Sequence, residues 1–313
     1  MKTRTITASL SVTAAAAICL LSISTAHAQS NRTWVSPSGD DSHNCSVNKP
    51  CRTFAGALAK TNPGGEIVVQ DSGGFGPLTI NKSVTIDGAG KYGGIEVSGS
   101  GAAVIIEGAS TDVVVLRGLT MKGFGTASGG IFVLIPIRAL YVEHCVISDF
   151  TDNGITPSDT AAAFITDTTV VGCSGAGIFL DSSLTKALIE HCRLENNGRG
   201  LYLLIGPQAT VRDTVAAGNK NYGFECDWGY LNIENCAASN NGGGIWANVV
   251  PSPNGPSTVV VSNSIVTNNQ TYGFRQSGLS DSTVFAVFYS RGNNTVIGNG
   301  TDVSGTITPL TGN

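Results

Sequence analysis

A short motif that returns every 22 to 28 residues constrains this chain more than any other feature. In each copy an alternating apolar strand leads to Cys, Thr or Ser, and a turn rich in Asn and Gly follows. The equivalent positions are Cys145, Thr168, Cys192, Thr214, Cys236 and Ser264, at steps of 23, 24, 22, 22 and 28 residues. Self-similarity at a fixed period is typical of a solenoid, in which each repeat buries its apolar side chains against its neighbours. We therefore interpret the chain as a stack of coils.

The segments between the strands indicate which kind of solenoid this is. Short apolar runs such as Ile67–Val69, Val84–Ile86 and Val104–Ile106 are separated by Gly-rich turns that cannot hold a crossover helix. Parallel strands without helices, at a period near 22–24 residues, predict an all-β parallel β-helix with three strands per coil. A β-sandwich would not keep one Cys/Thr position in step over six units, and a propeller blade needs nearly twice the period.

The chain divides into three parts. Residues 1–28 have a basic start, the apolar run Ala14–Leu21 and a final Ala26-His-Ala28, which predict a signal peptide and a secreted, periplasmic or extracellular protein. Residues 29–75 predict an N-terminal strand, a disulfide loop and a capping helix, Phe54–Lys60, begun by Thr53 and ended by Asn62–Gly65. Residues 76–313 hold the β-helix repeats, with an irregular C-terminal end and an inserted loop at Pro251–Pro256.

The position of each cysteine in these three parts indicates whether we expect it to form a disulfide. Cys45 and Cys51 flank a short loop, and in an exported protein we expect them to form a disulfide. Cys145, Cys192 and Cys236 recur on alternate coils, which lie nearly 10 Å apart at about 4.8 Å per coil. That separation exceeds the reach of a disulfide, so we expect three buried free thiols. Cys173 and Cys226 have no evident partner.

Charge and hydropathy limit the kinds of partner that we expect for this chain. Without Lys2 and Arg4 the chain has 16 basic against 22 acidic residues and no basic cluster, so we do not expect nucleic acid. No segment is long and apolar enough to predict insertion into a membrane. We expect a monomer without a cofactor; a calcium ion is allowed by the composition but not indicated by any motif.

Three groups of residues resemble secreted right-handed parallel β-helix proteins of the pectate-lyase-like superfamily. They are the opening Trp34–Gly39, the Cys45–Cys51 segment with its short helix, and the turns Ile189–Cys192 and Ile233–Cys236. The resemblance spans nearly all of the chain after residue 28. It implies a right-handed three-sheet solenoid that binds or processes acidic or neutral polysaccharide. The Gly-His-Gly and Arg-Ile-Lys motifs of polygalacturonases and the Arg-x-Pro-x-x-Arg pattern of pectate lyases are absent, so the resemblance implies no particular reaction.

One outward column of side chains is the predicted ligand surface. The second residue after each turn glycine should point out of the coil, which gives Phe179, Tyr202, Glu225, Trp246 and Arg275. Apolar faces of sugar rings stack on such aromatics, so we expect Phe179, Tyr202, Trp246 and the nearby Trp228 to bind polysaccharide. In the alternative interpretation these aromatics pack under a loop such as Pro251–Pro256, or against one another.

Four charged residues on the same face are the candidate catalytic groups. Glu225 and Asp227 should lie about 6–7 Å apart by strand rise, and Asp181 and Asp227 roughly 10 Å apart across two coils. These separations bracket the range of inverting glycosidases, whereas a polysaccharide lyase would use a base such as Arg275. Whether the protein is an enzyme stays open at this point. The alternative function is a non-catalytic structural or adhesive surface protein.

A second column is polar. It precedes the repeated Cys/Thr position and consists of His144, Asp167, His191, Asp213, Asn235 and Asn263. Paired His and Asp residues on adjacent coils could form a proton-transfer or metal site. The presence of Asn in the later coils favours a structural hydrogen-bonded ladder instead.

Overall fold

The computed structural model describes residues 29–249, 257–278 and 286–310. The predicted signal peptide and the Pro251–Pro256 loop lie outside these described residues. Within them the chain forms one helix, α1 (Phe54–Lys60), and 32 strands. In chain order the strands are β1 Ser30–Val35, β2 Thr61–Val69, β3 Gly73–Gly74, β4 Leu78–Ile80, β5 Val84–Asp87, β6 Gly93–Glu96, β7 Ala102–Ile106, β8 Val113–Arg117, β9 Leu119–Lys122, β10 Gly129–Val133, β11 Ala139–Glu143, β12 Val146–Ser148, β13 Ile155–Thr156, β14 Ala162–Thr166, β15 Thr169–Val171, β16 Ala176–Leu180, β17 Lys186–Glu190, β18 Arg193–Glu195, β19 Arg199–Leu203, β20 Gln208–Arg212, β21 Val215–Ala217, β22 Tyr222–Cys226, β23 Tyr230–Glu234, β24 Ala237–Ser239, β25 Gly243–Ala247, β26 Thr258–Ser262, β27 Ile265–Thr267, β28 Tyr272–Gln276, β29 Val287–Ser290, β30 Thr295–Ile297, β31 Thr301–Ser304 and β32 Thr308–Pro309.

The strands form three parallel sheets, which we number in the order in which each coil crosses them. The first sheet has twelve strands, in the order β1-β2-β5-β8-β11-β14-β17-β20-β23-β26-β29-β32. The second has ten, β3-β6-β9-β12-β15-β18-β21-β24-β27-β30, and the third has ten, β4-β7-β10-β13-β16-β19-β22-β25-β28-β31. The prediction of a right-handed parallel β-helix with three sheets is therefore confirmed.

Alternation along the strands fills the core. Ile178, Leu201, Phe224 and Ile245 occupy equivalent positions on the third sheet, and each is at most 1% exposed. The other two sheets contribute buried apolar residues from coil to coil in the same way, so the core is a continuous apolar column rather than a globular centre.

The glycine at the second position of the third-sheet strands β19, β22 and β25 is required by close packing. A Cβ at Gly200 would point into the core, 3.0 Å from the Ala216 Cβ and 2.4 Å from the Gly223 carbonyl oxygen of the next coil. A Cβ at Gly223 would lie 2.9 Å from Asn241 Nδ2, and one at Gly244 would lie 2.4 Å from Val266 Cγ1, each on the next coil. Both the glycine and the residue after it therefore face inward, so the chain bends here and strict alternation is broken.

The polar column at the corner after the first sheet has a backbone explanation. His144, Asp167, His191, Asp213, Asn235 and Asn263 all have φ between 49° and 53°. This left-handed region disfavours most side chains but admits Asn, Asp and His. The imidazole and carboxylate of His144–Asp167 and of His191–Asp213 lie 3.8 Å apart on the surface. These features favour the structural ladder, and no cluster of three or more potential metal ligands occurs among the described residues.

The next position explains why Cys and Thr replace one another. The Thr168 hydroxyl accepts a hydrogen bond from the Cys145 backbone N–H (3.3 Å) and donates to the Thr166 carbonyl (2.9 Å). Thr214 does the same for Cys192, two repeats further on. The predicted buried free thiols Cys145, Cys192 and Cys236 are confirmed, and burial raises the pKa of the Cys145 thiol to about 11.

A buried asparagine ladder follows the second sheet. Asn197, Asn219, Asn241 and Asn269 are each at most 3% exposed and stack from coil to coil. The Asn219 side chain accepts from the Asn197 N–H (2.9 Å) and donates to the Leu194 carbonyl (2.9 Å) and to Asn241 Oδ1 (2.8 Å). These side chains therefore satisfy the backbone groups that each turn would otherwise leave unpaired.

The N-terminal region matches the expectation except at one boundary. The Thr53 hydroxyl accepts from the Gly56 N–H (2.9 Å), α1 buries Phe54, Ala57 and Leu58, and Cys45 is bonded to Cys51. The segment expected as a turn after the helix belongs instead to β2, which begins at Thr61 because the helix gives way directly to a strand that pairs with β1. The region is thus continuous with the first sheet. Among the described residues no helix has the length and apolar character needed to span a membrane.

Candidate functional site

The predicted outward column lies on the outer face of the third sheet. Phe179 pairs in register with Tyr202, Tyr202 with Glu225, Glu225 with Trp246, and Trp246 with Arg275. The residues on either side of Phe179, Tyr202, Glu225 and Trp246, such as Leu201 and Leu203, are buried in the core, and so is Phe274 before Arg275. The order and the direction of the column are therefore confirmed.

The centre of the column is covered rather than open. Glu225 is 2% exposed and Asp227 is 7% exposed, although both point away from the core. Arg199 forms an ion pair with Glu225, and its guanidinium lies 4.6 Å from the centroid of the Tyr202 ring. The Tyr202 hydroxyl donates to Asp227 Oδ2 (2.8 Å). We expected an open acidic surface here, but Arg199 and Tyr202 close over the two carboxylates.

Burial, as the largest effect, and the negative charge of Asp227 raise the pKa of Glu225 to about 7, against the opposing effect of Arg199. Glu225 and Asp227 are 2% and 7% exposed, so little space is open beside them for the water molecule that an inverting glycosidase places between its carboxyl groups.

An aromatic cluster adjoins this carboxyl pair. The Arg275 guanidinium lies 4.4 Å from the Trp246 ring and 4.7 Å from the Tyr272 ring, and its Nη1 donates to the Tyr222 hydroxyl (2.6 Å). The rings of Tyr222 and Trp246 are 4.7 Å apart. All four side chains are half-buried, so each presents part of its surface to solvent.

Hydrogen bonds join the cluster to the carboxyl pair. Trp246 Nε1 donates to Ser277 Oγ (3.1 Å), Ser277 Oγ donates to Asn248 Oδ1 (2.7 Å), and Asn248 Nδ2 donates to Asp227 Oδ1 (2.9 Å). A ligand that displaces Trp246 or Tyr202 would therefore alter the hydrogen bonding of Asp227. The aromatic cluster and the carboxyl pair therefore form one connected surface.

Three predicted site residues lie at its margin. Phe179 stacks on Tyr202, with ring centroids 5.1 Å apart, and extends the column toward the N-terminus. Asp181 accepts from the Ser158 hydroxyl (2.8 Å), two coils before Asp227. Trp228 lies beyond the end of β22, where its indole packs against Gly206. Trp228 is thus at the corner after the sheet rather than on its face.

Arg199, Tyr222 and Tyr272 belong to the site but were not predicted. Each comes immediately before a turn glycine, and strict alternation from Tyr202, Glu225 or Arg275 would point it into the core. The inward-facing glycine breaks the alternation and turns the preceding residue outward. Strict alternation would place the charged side chain of Arg199 in the apolar core. That conflict is the signal in the sequence for a bend of the chain at Gly200.

Comparison with known proteins places the chain in a family. A family described as the right handed beta helix region matches residues 129–301, more than half of the chain, and the chain belongs to it. Among solved structures, pectate lyase Pel9A is similar at 18% identity and a TM-score of 0.52, over 89% of this chain and 79% of that one. XylC in complex with xylose is similar at 9% identity and a TM-score of 0.54, over 84% and 69%. No curated protein matches in sequence. The fold is that of a pectate-lyase-like β-helix.

Proposed function

We propose that the protein binds polysaccharide on the outer face of the third sheet, along the column from Phe179 to Arg275. The observation that carries this proposal is the half-exposed cluster in which Tyr222, Trp246 and Tyr272 surround the Arg275 guanidinium. Of the two similar structures, one is a pectate lyase and the other holds xylose, which supports a carbohydrate ligand.

The dimensions and chemistry of the column suit a chain of sugars. Four coil steps separate Phe179 from Arg275, which corresponds to roughly 19 Å along the solenoid axis. Aromatic rings offer apolar faces for the C–H faces of sugars, and their polar atoms offer hydrogen bonds to hydroxyls. Asn248 and Ser277, between Trp246 and Asp227, add donors and acceptors for orientation.

The proposal predicts that Trp246→Ala weakens binding at least about tenfold, because the variant removes the central stacking surface. A glycan array would identify a ligand, and calorimetry would measure its affinity for both proteins. Tyr141→Ala is the matched control: Tyr141 stacks on Phe164, with centroids 4.7 Å apart, on the outward side of the first sheet. Equal weakening by both variants would contradict the location. Binding to no glycan would contradict the proposal and leave a structural or adhesive surface protein.

A second candidate function is cleavage of the bound polymer, which the raised pKa of Glu225 favours. A carboxyl that exchanges its proton near pH 7 can protonate the leaving oxygen of a glycosidic bond. Because Glu225 is 2% exposed, substrate would first have to displace Arg199 and Tyr202.

The test for cleavage is the release of reducing ends or of unsaturated products from a polymer that the protein binds. If Glu225 is the acid, Glu225→Gln should lower the rate about 100-fold or more. Glu190→Gln is the control, because Glu190 pairs with Arg212 on the first sheet, as Glu225 pairs with Arg199. An unchanged rate in Glu225→Gln would exclude this role for Glu225.

A further inference from the structure

We infer that the ligand of this face is a neutral polysaccharide rather than a polyuronate, an inference that rests on the proposed function. Polyuronates carry a carboxylate on each sugar unit. A site for them needs cations that are free to meet those carboxylates. The charges and the apolar margin of the face disfavour such a ligand, and the segments that follow its last two strands in sequence contain no Lys or Arg.

Of the two arginines on the face, only Arg275 lacks a carboxylate partner among the described residues. Arg199 is paired with Glu225, whose side chain is 2% exposed, so a uronate would have to compete with a buried carboxylate for this cation. The Arg275 guanidinium lies against two rings and donates to the Tyr222 hydroxyl. Asp227 and Asp181 add negative charge on the same side of the sheet. An approaching polyuronate would therefore meet more carboxylates than available cations.

The segments of sequence that follow the last two strands of the column contain no cations. The segments 250–256 and 279–285 follow β25 and β28 in sequence, and neither contains Lys or Arg. The second segment contains Asp281. The exposed Lys186 begins β17, directly after the loop that follows β16. Lys220 lies at the turn before Tyr222, next to Asn196 and Ser174, on the opposite rim.

The margin beyond the strand ends is apolar. Leu184 and Ile205, in the loops after β16 and β19, are 62% and 46% exposed. Ile205 also has φ of 69°, a conformation that is costly for a β-branched residue, so its exposure is held at an energetic cost. Lys186 follows Leu184 by two residues, but a carboxylate placed against the apolar side chain of Ile205 would lose hydration without gaining a partner from it, whereas a neutral sugar would not.

The experiment compares ligands that share one backbone and differ in charge. Binding of polygalacturonate and of its fully methyl-esterified form, together with unsubstituted xylan, is measured at low and high ionic strength. We expect at least one neutral polymer to bind, with little dependence on salt, and polygalacturonate to bind at least about tenfold more weakly at low salt. Trp246→Ala should weaken the binding that is seen.

The outcomes separate this inference from the proposed function. Tighter binding of polygalacturonate than of the neutral polymers, weakened by Trp246→Ala and by salt, would overturn the inference and leave the proposed function standing. If no polymer of either kind binds, across these probes and a wider glycan array, the proposed function itself fails. Neutral binding that Trp246→Ala does not affect would place the ligand elsewhere and would overturn both.

Discussion

Glu225 makes the stability of this protein depend on pH. Its pKa is about 7 in the folded chain, against an ordinary value of 4.5, chiefly because it is buried. The stability that protonated Glu225 contributes is fully present below about pH 4.5 and is lost as the pH rises through about 7. Glutamine resembles the protonated form. Between about pH 5 and pH 8 the wild type should therefore lose free energy of unfolding relative to Glu225→Gln, by on the order of 3 kcal/mol.

Urea denaturation at the two pH values measures this difference directly. Glu190→Gln serves as the control, because the Glu190 side chain is 22% exposed and its partner Arg212 is likewise an arginine on an adjacent coil. A gap between wild type and Glu225→Gln that stays constant with pH would show that Glu225 is not buried as the structure has it.

For a single residue, the sequence predicts the direction in which the side chain points but not which neighbouring side chains cover it. Alternation placed Tyr202, Glu225 and Trp246 in one outward column, and the register confirms it. It could not predict that Arg199 and Tyr202 would fold over Glu225, because that depends on side-chain contacts between coils. The position of Arg199 itself was hidden by the inward turn of Gly200, a local departure from the two-residue period.

Among the repeated elements, the asparagine ladder should be the most sensitive to substitution. Asn219 is 1% exposed, and its removal would leave the Asn197 N–H and the Leu194 carbonyl without their partners. Each unpaired buried group costs about 1–3 kcal/mol, so Asn219→Ala should lower the free energy of unfolding by about 3 kcal/mol. Chemical denaturation provides the measurement.

Asn221→Ala is the comparison for the ladder. Asn221 lies two residues away with an exposed side chain, so its loss should change the stability by no more than about 0.5 kcal/mol. Equal effects of the two variants would mean that the turn, rather than the buried hydrogen bonds, sets the stability of the coil.

The sequence predicts the helix and the Cys/Thr column, but it does not predict the buried asparagine ladder. The α1 helix follows from Thr53 and its spaced apolar residues, and both its bounds are confirmed. The Cys/Thr column is visible because it recurs in every coil. The buried role of Asn219 is not visible, because an Asn-Gly turn has the same composition whether its side chain points into the core or into solvent.

The whole molecule behaves as a one-dimensional stack, because each coil contacts only the coils before and after it. The period that predicts the fold therefore also predicts which deletions the fold should accept. Removing residues 146–168, one repeat of 23 residues, joins Cys145 to Thr169 and takes out β12, β13 and β14 together. The strands on either side can then pair in the same register. We expect a folded protein that unfolds cooperatively at a lower temperature.

A deletion of half a coil is the matched test of this periodicity. Removing residues 146–157, a run of 12, takes out β12 and β13 but keeps β14, so the chain would have to run from one first-sheet strand to the next without crossing the other two sheets. This variant should lose the β-sheet circular dichroism that the full-coil deletion keeps. The full-coil deletion ends before Phe179, so it should also retain any carbohydrate binding of the wild type. If both deletions fold equally well, or if neither folds, the stability of the solenoid does not come from contacts between adjacent coils alone.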